Sequence, residues 1–462
     1  MPQNRASRNS RVSQSIPGNK QLGHDTASPI RTADQLFPDG DALELIRDSD
    51  GRLALLHCHG RKAVVASRVE IRGQVFEPAH IEASILRSMP LPKGCTPYRS
   101  TSELFNGIAA LIPQVTPVAE SVATAITFIV FASWFVDLLP VAPILWIVVP
   151  PTASGDPLAQ LLRLLCRRAL SVGDFTAAGL RALPMDLKPT ILTEVSKVTP
   201  QFLKVLRVSS RRNIYLPSRE KIIDPFCAKI IFSDQPLRDP AAAGFPLEIA
   251  LAPSRGRVFP MNSTETEKIA DEFQAKLLSY RLMNHRNIAV PRLDLGDFTA
   301  PTCAIAQSLA ACVVDDVELQ SRIVALLKPH DREIQVNRAA LLEAILLEAL
   351  LAACHGPFLA TLPIMALAES VNTILKGRGE SLEVTPEIVG WRLKALGFRT
   401  ELIAGGRRGL ALLDETRARI HDLAVAYGVR TMRMGLLPGV CRLCDALQVV
   451  RGEAADPTRG RS

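Results

Sequence analysis

The sequence predicts an α/β fold built around a parallel sheet, and three observations predict it. The first is the run 143–157, PILWIVVPPTASGDP. Its unbroken apolar residues 144–149 suit a strand covered on both faces better than the alternation of a half-exposed one. The second is the order of parts: strand, small-residue turn, then a helix opening behind the turn at Leu158. The third is that two more strand candidates follow in the same region, at 190–193 and 228–232.

Strand, turn and helix in this order are the scaffold of a P-loop, G-x-x-x-x-G-K-[ST]. Laid over the turn, the pattern puts Gly155 on the second glycine. Pro150 takes the first glycine, Asp156 the lysine and Pro157 the serine or threonine. A proline lacks the N–H that a phosphate cradle needs and cannot adopt the left-handed backbone that glycine allows. Aspartate in place of lysine sets a negative charge where phosphates would sit, and proline removes the hydroxyl that would ligate Mg²⁺. No cofactor is therefore expected, ATP and Mg²⁺ included. The second strand ends in Thr193 and Glu194, with threonine where an active ATPase carries the Mg²⁺-binding aspartate. Glu194 is the one candidate catalytic residue, as a water-activating base if the chain turns over a nucleotide.

At 462 residues the chain is long enough for two to four domains. Lys plus Arg number 54 against 46 Asp plus Glu, a net charge of +8 that is compatible with nucleic acid without specifying it. The nine cysteines are mostly scattered singly through apolar surroundings, and the first 40 residues lack an apolar core segment. Reduced thiols and a cytoplasmic location are expected. The apolar run 122–139 is long enough to consider as a membrane span. Asp137 near its end, Pro140 after it and the immediate return to a buried strand predict a core helix instead, and no membrane partner.

Taken in order, residues 1–40 form a basic tail rich in Ser, Asn and Pro, expected to be disordered. Residues 41–98 read as a small α+β module, with strands at 42–47, 52–58 and 63–72 and a helix at 81–88. Residues 99–262 hold the degenerate P-loop-like α/β domain. The pattern Ser100-Thr101-Ser102-Glu103 caps a first helix and a second runs to 139. The helix behind the turn is expected over 158–170. Within this domain lies the most basic run of the chain, with Lys204, Arg207, Arg211, Arg212, Arg219 and Lys221 around an Asn213–Pro217 hairpin or loop. Cations flanking Tyr215 suit a phosphate backbone with one stacked base, and equally suit a solvated loop.

Past Pro260 the apolar period becomes helical, and residues 263–358 are expected to form a helical lid. Thr264 and Glu267 fit a capping box at its start. Helices are expected at 304–314, 317–327 and 338–354. Residues 359–430 carry a helix at 364–375 and a second one opened by Thr385-Pro386-Glu387 and closed by Gly397. A hairpin follows, with Gly405-Gly406-Arg407-Arg408-Gly409 at its tip. Helix, helix and basic-tipped hairpin make the winged-helix pattern. Arg392 and Lys394 on the helix, with Arg407 and Arg408 on the wing, are the candidate DNA contacts, together with Arg211 and Arg212 in the basic run. Winged helices also dock proteins; cations on helix and wing together favour DNA. Residues 431–462 are a polar tail with Cys441-Arg-Leu-Cys444, half of a zinc site by spacing.

This order of parts resembles the AAA+-related primase–helicase-like proteins of phages and integrated mobile elements, over roughly residues 100–415. The pieces that carry the resemblance are TEKIADEFQAKLLSYRLMNH, TPEIVGWRLKALGF and the GGRRG hairpin. It implies a P-loop NTPase-like parallel sheet core with a helical lid, a small N-terminal α+β module and a C-terminal winged helix. It also implies DNA as partner, with a homo-oligomer or replication and recombination proteins beside it, and ATP hydrolysis in active members. The chain departs from active members at Pro150, Asp156, Pro157 and Thr193. The tract Asp239-Pro240-Ala241-Ala242-Ala243, where such families often carry an arginine that reaches a neighbour's nucleotide, holds no arginine. The preferred expectation is a non-hydrolysing, ATPase-derived DNA-binding protein linked to replication or maintenance of a mobile element. The alternatives are an NTPase with an altered site acting on DNA, and a protein-binding adaptor.

Overall fold

Ser28 opens the part of the chain that the computed structural model describes. It covers residues 28–429 except 61, 174, 218–221, 238–245, 254–261, 297, 356–359, 381 and 404–405, together with Leu443, and gives only the backbone of 337–339. Cys441, Cys444 and the 239–243 tract lie outside the described residues.

The apolar strand Ile144–Val148 occupies an inner position in a five-stranded, all-parallel sheet. Its neighbours are Leu247–Ala250 on one side and Lys229–Ser233 on the other. Ile191–Val195 and Leu170–Val172 complete the order. In chain order the strands run fifth, first, fourth, third, second. This is a mixed α/β fold built on an all-parallel sheet. The two strands that pattern reading missed are the sheet's edges, three and four residues long and interrupted by Ser171 and Glu248. An edge strand pairs on one side only, so it needs less of the β-branched run that marks an inner strand.

The helix behind the turn is Asp156–Leu165 and ends five residues before the limit expected from sequence. Its apolar pattern does continue to Leu170, but Arg168 takes a left-handed φ of 49° and turns the chain into the edge strand. The apolar run 122–139 contains the helix Glu120–Trp134, buried from Ala125 through Trp134. A helix apolar on every face belongs inside a large core. Among the described residues no helix is long and apolar enough to cross a membrane.

The N-terminal strands Asp34–Leu36, Ala42–Arg47, Leu53–His59 and Lys62–Ala66 form an antiparallel sheet in chain order. The expected single strand over 63–72 is two: Lys62–Ala66 stays in this sheet, and Val69–Ile71 joins a second one with Gln74–Pro78 and Ile30–Thr32. Ser100 caps the helix Thr101–Val115 as its pattern predicts, accepting from the Glu103 N–H at 3.1 Å.

The stretch expected to form a lid begins with the helix Ser263–Ile269, passes through a π turn at Ala270–Gln274 and continues as Ala275–Asn284. Its capping box is formed by Asn262 and Glu265, two residues before the expected Thr264 and Glu267. Both pairs satisfy the three-residue spacing, and the chain uses the earlier one. Helices Ala300–Ala311, Val317–Ala339 and Leu342–His355 follow. One apolar core joins this region to the sheet and to the N-terminal strands, through Leu277, Leu278 and Tyr280 against Ile126, Phe131 and Ala42 among others.

A six-membered charge network crosses the same junction. Arg281 on the helix Ala275–Asn284 pairs with Glu44 and Asp137; Arg167 pairs with Asp34, Glu44 and Asp137; Arg168 pairs with Asp34 and Glu44. Three guanidiniums therefore meet three carboxylates, which is the balance that buried charge requires.

The remaining helices and strands have a core of their own. Ile364–Gly377 and Pro386–Ala395 lie against a three-stranded antiparallel sheet of Thr361–Pro363, Arg407–Ala411 and Glu401–Ile403. Leu342–His355 and Asp414–Ala426 pack together on this unit. Gly409 sits in the middle strand, where a Cβ would come within 2.7 Å of Ile403 and 3.0 Å of the Leu362 carbonyl. Only glycine fits there.

Candidate nucleic-acid interface

The helix Pro386–Ala395 turns Val389 and Leu393 into the core. The face turned outward carries Glu387, Gly390, Trp391 and Lys394, spaced three and four apart as one helical stripe requires. Gly397, at φ 80°, ends the helix, and Phe398 N–H closes it on the Leu393 carbonyl at 2.9 Å. The chain then returns through Arg399 and Thr400 into the hairpin.

Between this stripe and the hairpin is a cleft of about 980 Å³, lined by Trp391, Lys394, Arg399, Thr400, Arg407 and Arg408 with Pro363, Ile364 and Met365 at its floor. Trp391 is 79% exposed. Four cations thus surround one open indole. Glu387 also lines the cleft, and its bond to the Thr385 hydroxyl holds its carboxyl below the usual carboxylate range. The arrangement offers positive charge for phosphates and an aromatic face for a base.

The structure sorts the residues singled out from sequence. Lys394, Arg407 and Arg408 come together. Arg407 and Arg408 stand at the start of the strand Arg407–Ala411 rather than at the tip of the turn. Arg392 points elsewhere: it is one residue round the helix from Trp391, does not line the cleft, and pairs with Glu343 of the neighbouring helix. Arg212 is a structural side chain. It donates to the carbonyls of Leu139, Val136 and Asp137, and its guanidinium lies 4.7 Å from the Phe226 ring centroid. Arg211 forms an isolated bridge with Val141. Beyond them Leu216–Pro217 pairs antiparallel with Ile222–Ile223, and Tyr215 is exposed.

Trp391 and Arg399 were not singled out from the sequence. Trp391 is legible in retrospect: it falls on the polar side of an amphipathic helix, three residues before Lys394.

At the turn after Ile144–Val148 the backbone is engaged locally. Val149 N–H donates to the Ser233 carbonyl at 2.7 Å, Ala153 N–H to the Pro150 carbonyl at 2.9 Å, and Asp156 N–H to the Ser154 hydroxyl at 3.3 Å. Gly155 is pressed against its surroundings, where a Cβ would lie 3.0 Å from Phe232 Cδ1 and 3.3 Å from Val149 Cγ2. Pro157 occupies the first turn of the helix, which proline tolerates because that N–H is unpaired anyway. Thr193 is buried while Glu194 is exposed, next to Phe232 in the sheet. Among the described residues no group of three or more His, Cys, Asp or Glu side chains could hold a metal ion.

Fold and cleft together define an α/β protein with an all-parallel five-stranded sheet and a basic, aromatic-bearing cleft in a separately packed C-terminal unit. No family model matches the chain, and no curated protein matches it. Among solved structures, the A form apo structure of the NrS-1 C terminal region matches with 13% identity and a TM-score of 0.35, covering 80% of this chain and 96% of that one. A full-length MCM homolog from Methanopyrus kandleri matches with 11% identity and a TM-score of 0.34, over 64% of this chain and 74% of that one. Cdc6p from Pyrobaculum aerophilum matches with 12% identity and a TM-score of 0.20, over 71% and 99%. At this level of likeness none of them carries a function over to this chain.

Proposed function

We propose that the chain binds DNA through the Trp391 cleft, and that its ATPase-type core is a non-hydrolysing scaffold. The unit that bears the cleft is read as a winged helix, with Pro386–Ala395 as the recognition helix and the Glu401–Ala411 hairpin as the wing. One observation carries the reading: Lys394 from the helix and Arg399, Arg407 and Arg408 from the hairpin segment converge on one open cleft around an exposed indole. Separate charged residues on a solvated surface have no reason to surround an aromatic side chain that is left in water. The core reading is supported by Pro150, Asp156, Pro157 and Thr193, which remove the donor, cation, hydroxyl and carboxylate that a hydrolytic site uses.

The test is binding of a labelled DNA duplex to the purified chain across a salt series. Affinity should fall steeply as salt rises, because phosphate contacts release counterions. The triple variant Lys394→Ala, Arg407→Ala, Arg408→Ala should bind more weakly at every salt concentration and flatten the slope of log K on log salt by about one for each lost phosphate contact. Equal binding by the variant would remove the cleft from the proposal. No binding by the unaltered chain, together with a stable co-purifying protein, would favour an adaptor.

A further inference from the structure

The outward stripe of the helix Pro386–Ala395 has a polarity that cations alone do not explain. Glu387, Trp391 and Lys394 follow one another along it, four and three residues apart, and all three line the cleft. From the C-terminal end of the stripe the order is cation, ring, anion.

An acid is the wrong group for a cleft that binds phosphate alone. Glu387 stands one helical turn, about 6 Å along the axis, from Trp391. An ionised carboxylate there repels phosphate and can only accept hydrogen bonds. Its carboxyl is held by the Thr385 hydroxyl and its own backbone N–H rather than by any of the four cleft cations. Lone pairs are therefore left for a donor that the ligand brings. The flank of the indole is open as well: a Cβ built on Gly390 would meet only Ile364 Cδ1, at 3.9 Å.

A nucleotide carries the complementary order: an anionic phosphate, a flat base, and N–H donors on the outer edge of that base. A duplex hides this order, because its bases are stacked on both faces and paired along the Watson–Crick edge. An unpaired base is free to lay one face on an aromatic ring and turn its edge to a side chain. Guanine suits a carboxylate best, since its N1–H and N2–H lie side by side and meet both oxygens. Thymine offers one N–H between two carbonyl oxygens, which repel the anion.

We propose, on the strength of the DNA reading above, that the cleft seats an unpaired base of DNA, guanine by preference. The base stacks on Trp391, its Watson–Crick edge donates to the Glu387 carboxylate, and Lys394, Arg399, Arg407 and Arg408 hold the flanking phosphates. The ligand class is then a single strand, or a duplex with an unpaired position. A fully paired duplex still meets the cations but leaves Trp391 and Glu387 without partners.

The experiment is fluorescence anisotropy of labelled DNA with the purified full-length chain at fixed salt. Three DNAs of equal length are compared: an all-thymine strand, the same strand with one central guanine, and a blunt duplex. The guanine strand should bind about ten-fold tighter than the all-thymine strand, and the duplex most weakly. Glu387→Gln should bring the two strands within about two-fold of each other by weakening the guanine strand, while the all-thymine strand holds or gains. Trp391→Ala should remove the preference for single strands over duplex. Both side chains are exposed, so neither change removes a core contact, and each ratio is measured within one protein. Equal affinity for the two strands, a guanine preference that survives Glu387→Gln, or a duplex that binds tightest would each overturn the inference while leaving the DNA reading intact. No binding of any of the three DNAs would overturn both.

Discussion

Arg281 holds Asp137 through two parallel hydrogen bonds of 2.8 and 2.7 Å, across 144 positions of sequence. The same guanidinium donates to Glu44 and, at 2.7 Å, to the Trp134 carbonyl. One side chain of the helix Ala275–Asn284 therefore ties together the N-terminal sheet and the helix Glu120–Trp134. Replacing Arg281 with alanine leaves Asp137 without its two-bond partner and takes one of three guanidiniums from Glu44, and should cost about 3–5 kcal/mol. Urea unfolding of Arg281→Ala against the unaltered chain reads this directly. Arg281→Lys should recover only part of the loss, because an ammonium cannot reproduce the fork. A cost below about 1 kcal/mol, the level of a surface pair, would show that the network contributes little.

The same network sets an acid limit. Burial alone would raise the Asp137 carboxyl, but Arg281 and Arg167 outweigh it and hold it below the usual carboxylate range. Asp34 is likewise held down, by Arg168, Arg167 and Arg281 against its burial. Carboxylates lowered in the folded state stabilise it fully above their unfolded value of about 4, and the stabilisation is lost as pH falls through the folded value. Stability should therefore be flat near neutrality in this respect and decline below about pH 4. Asp137→Asn should make that decline shallower. An unchanged acid limb in the variant would separate acid unfolding from this cluster.

Calorimetry with ATP and Mg²⁺ should show no saturable binding. Restoring only the charge and hydroxyl, with Asp156→Lys and Pro157→Thr, should not create it. Pro150 and Pro151 still supply no N–H donors, and Gly155 is still packed on Phe232. Saturable ATP binding by the unaltered chain would contradict the scaffold reading, and turnover abolished by Glu194→Gln would make it an enzyme.

Trp391 gives the proposed DNA cleft its own reporter. Of the three tryptophans, Trp134 is 2% exposed and Trp146 0%, so quenching by a dissolved quencher reads Trp391. Saturating DNA should shield that component, and Trp391→Ala should weaken binding by about 1–3 kcal/mol if a base stacks on the indole. Arg392→Ala is the matched control: its partner is Glu343, and DNA affinity should stay within about two-fold while Lys394→Ala lowers it more. An equal loss from Arg392→Ala would place DNA on a different face of the helix.

The local features were legible because their causes are local. The apolar run at 144–149 specified an inner strand, Ser100 and Glu103 specified a helix start, and Gly397 specified a helix end, each through neighbours a few residues away. The substitutions Pro150, Asp156 and Pro157 were readable against a fixed spacing for the same reason. Edge strands were less legible, since Leu170–Val172 and Leu247–Ala250 owe their structure to a partner strand more than to their own pattern.

Which outward charges find partners was not legible. Arg392 and Lys394 are equivalent as sequence, two cations two residues apart on a short helix. About 200° of helical rotation separates them, and only the packed position of Glu343 decides which one is paired. The network of Asp34, Glu44, Asp137, Arg167, Arg168 and Arg281 joins positions from distant parts of the chain. Sequence by itself determined the inner strands, the Ser100 cap, the Gly397 helix end and which phosphate-binding groups are absent, because hydrogen bonding and apolar periodicity act over a few residues. Tertiary structure alone decided which charges are neutralised, which are open and what meets Trp391, because those depend on distances that close only when the chain packs.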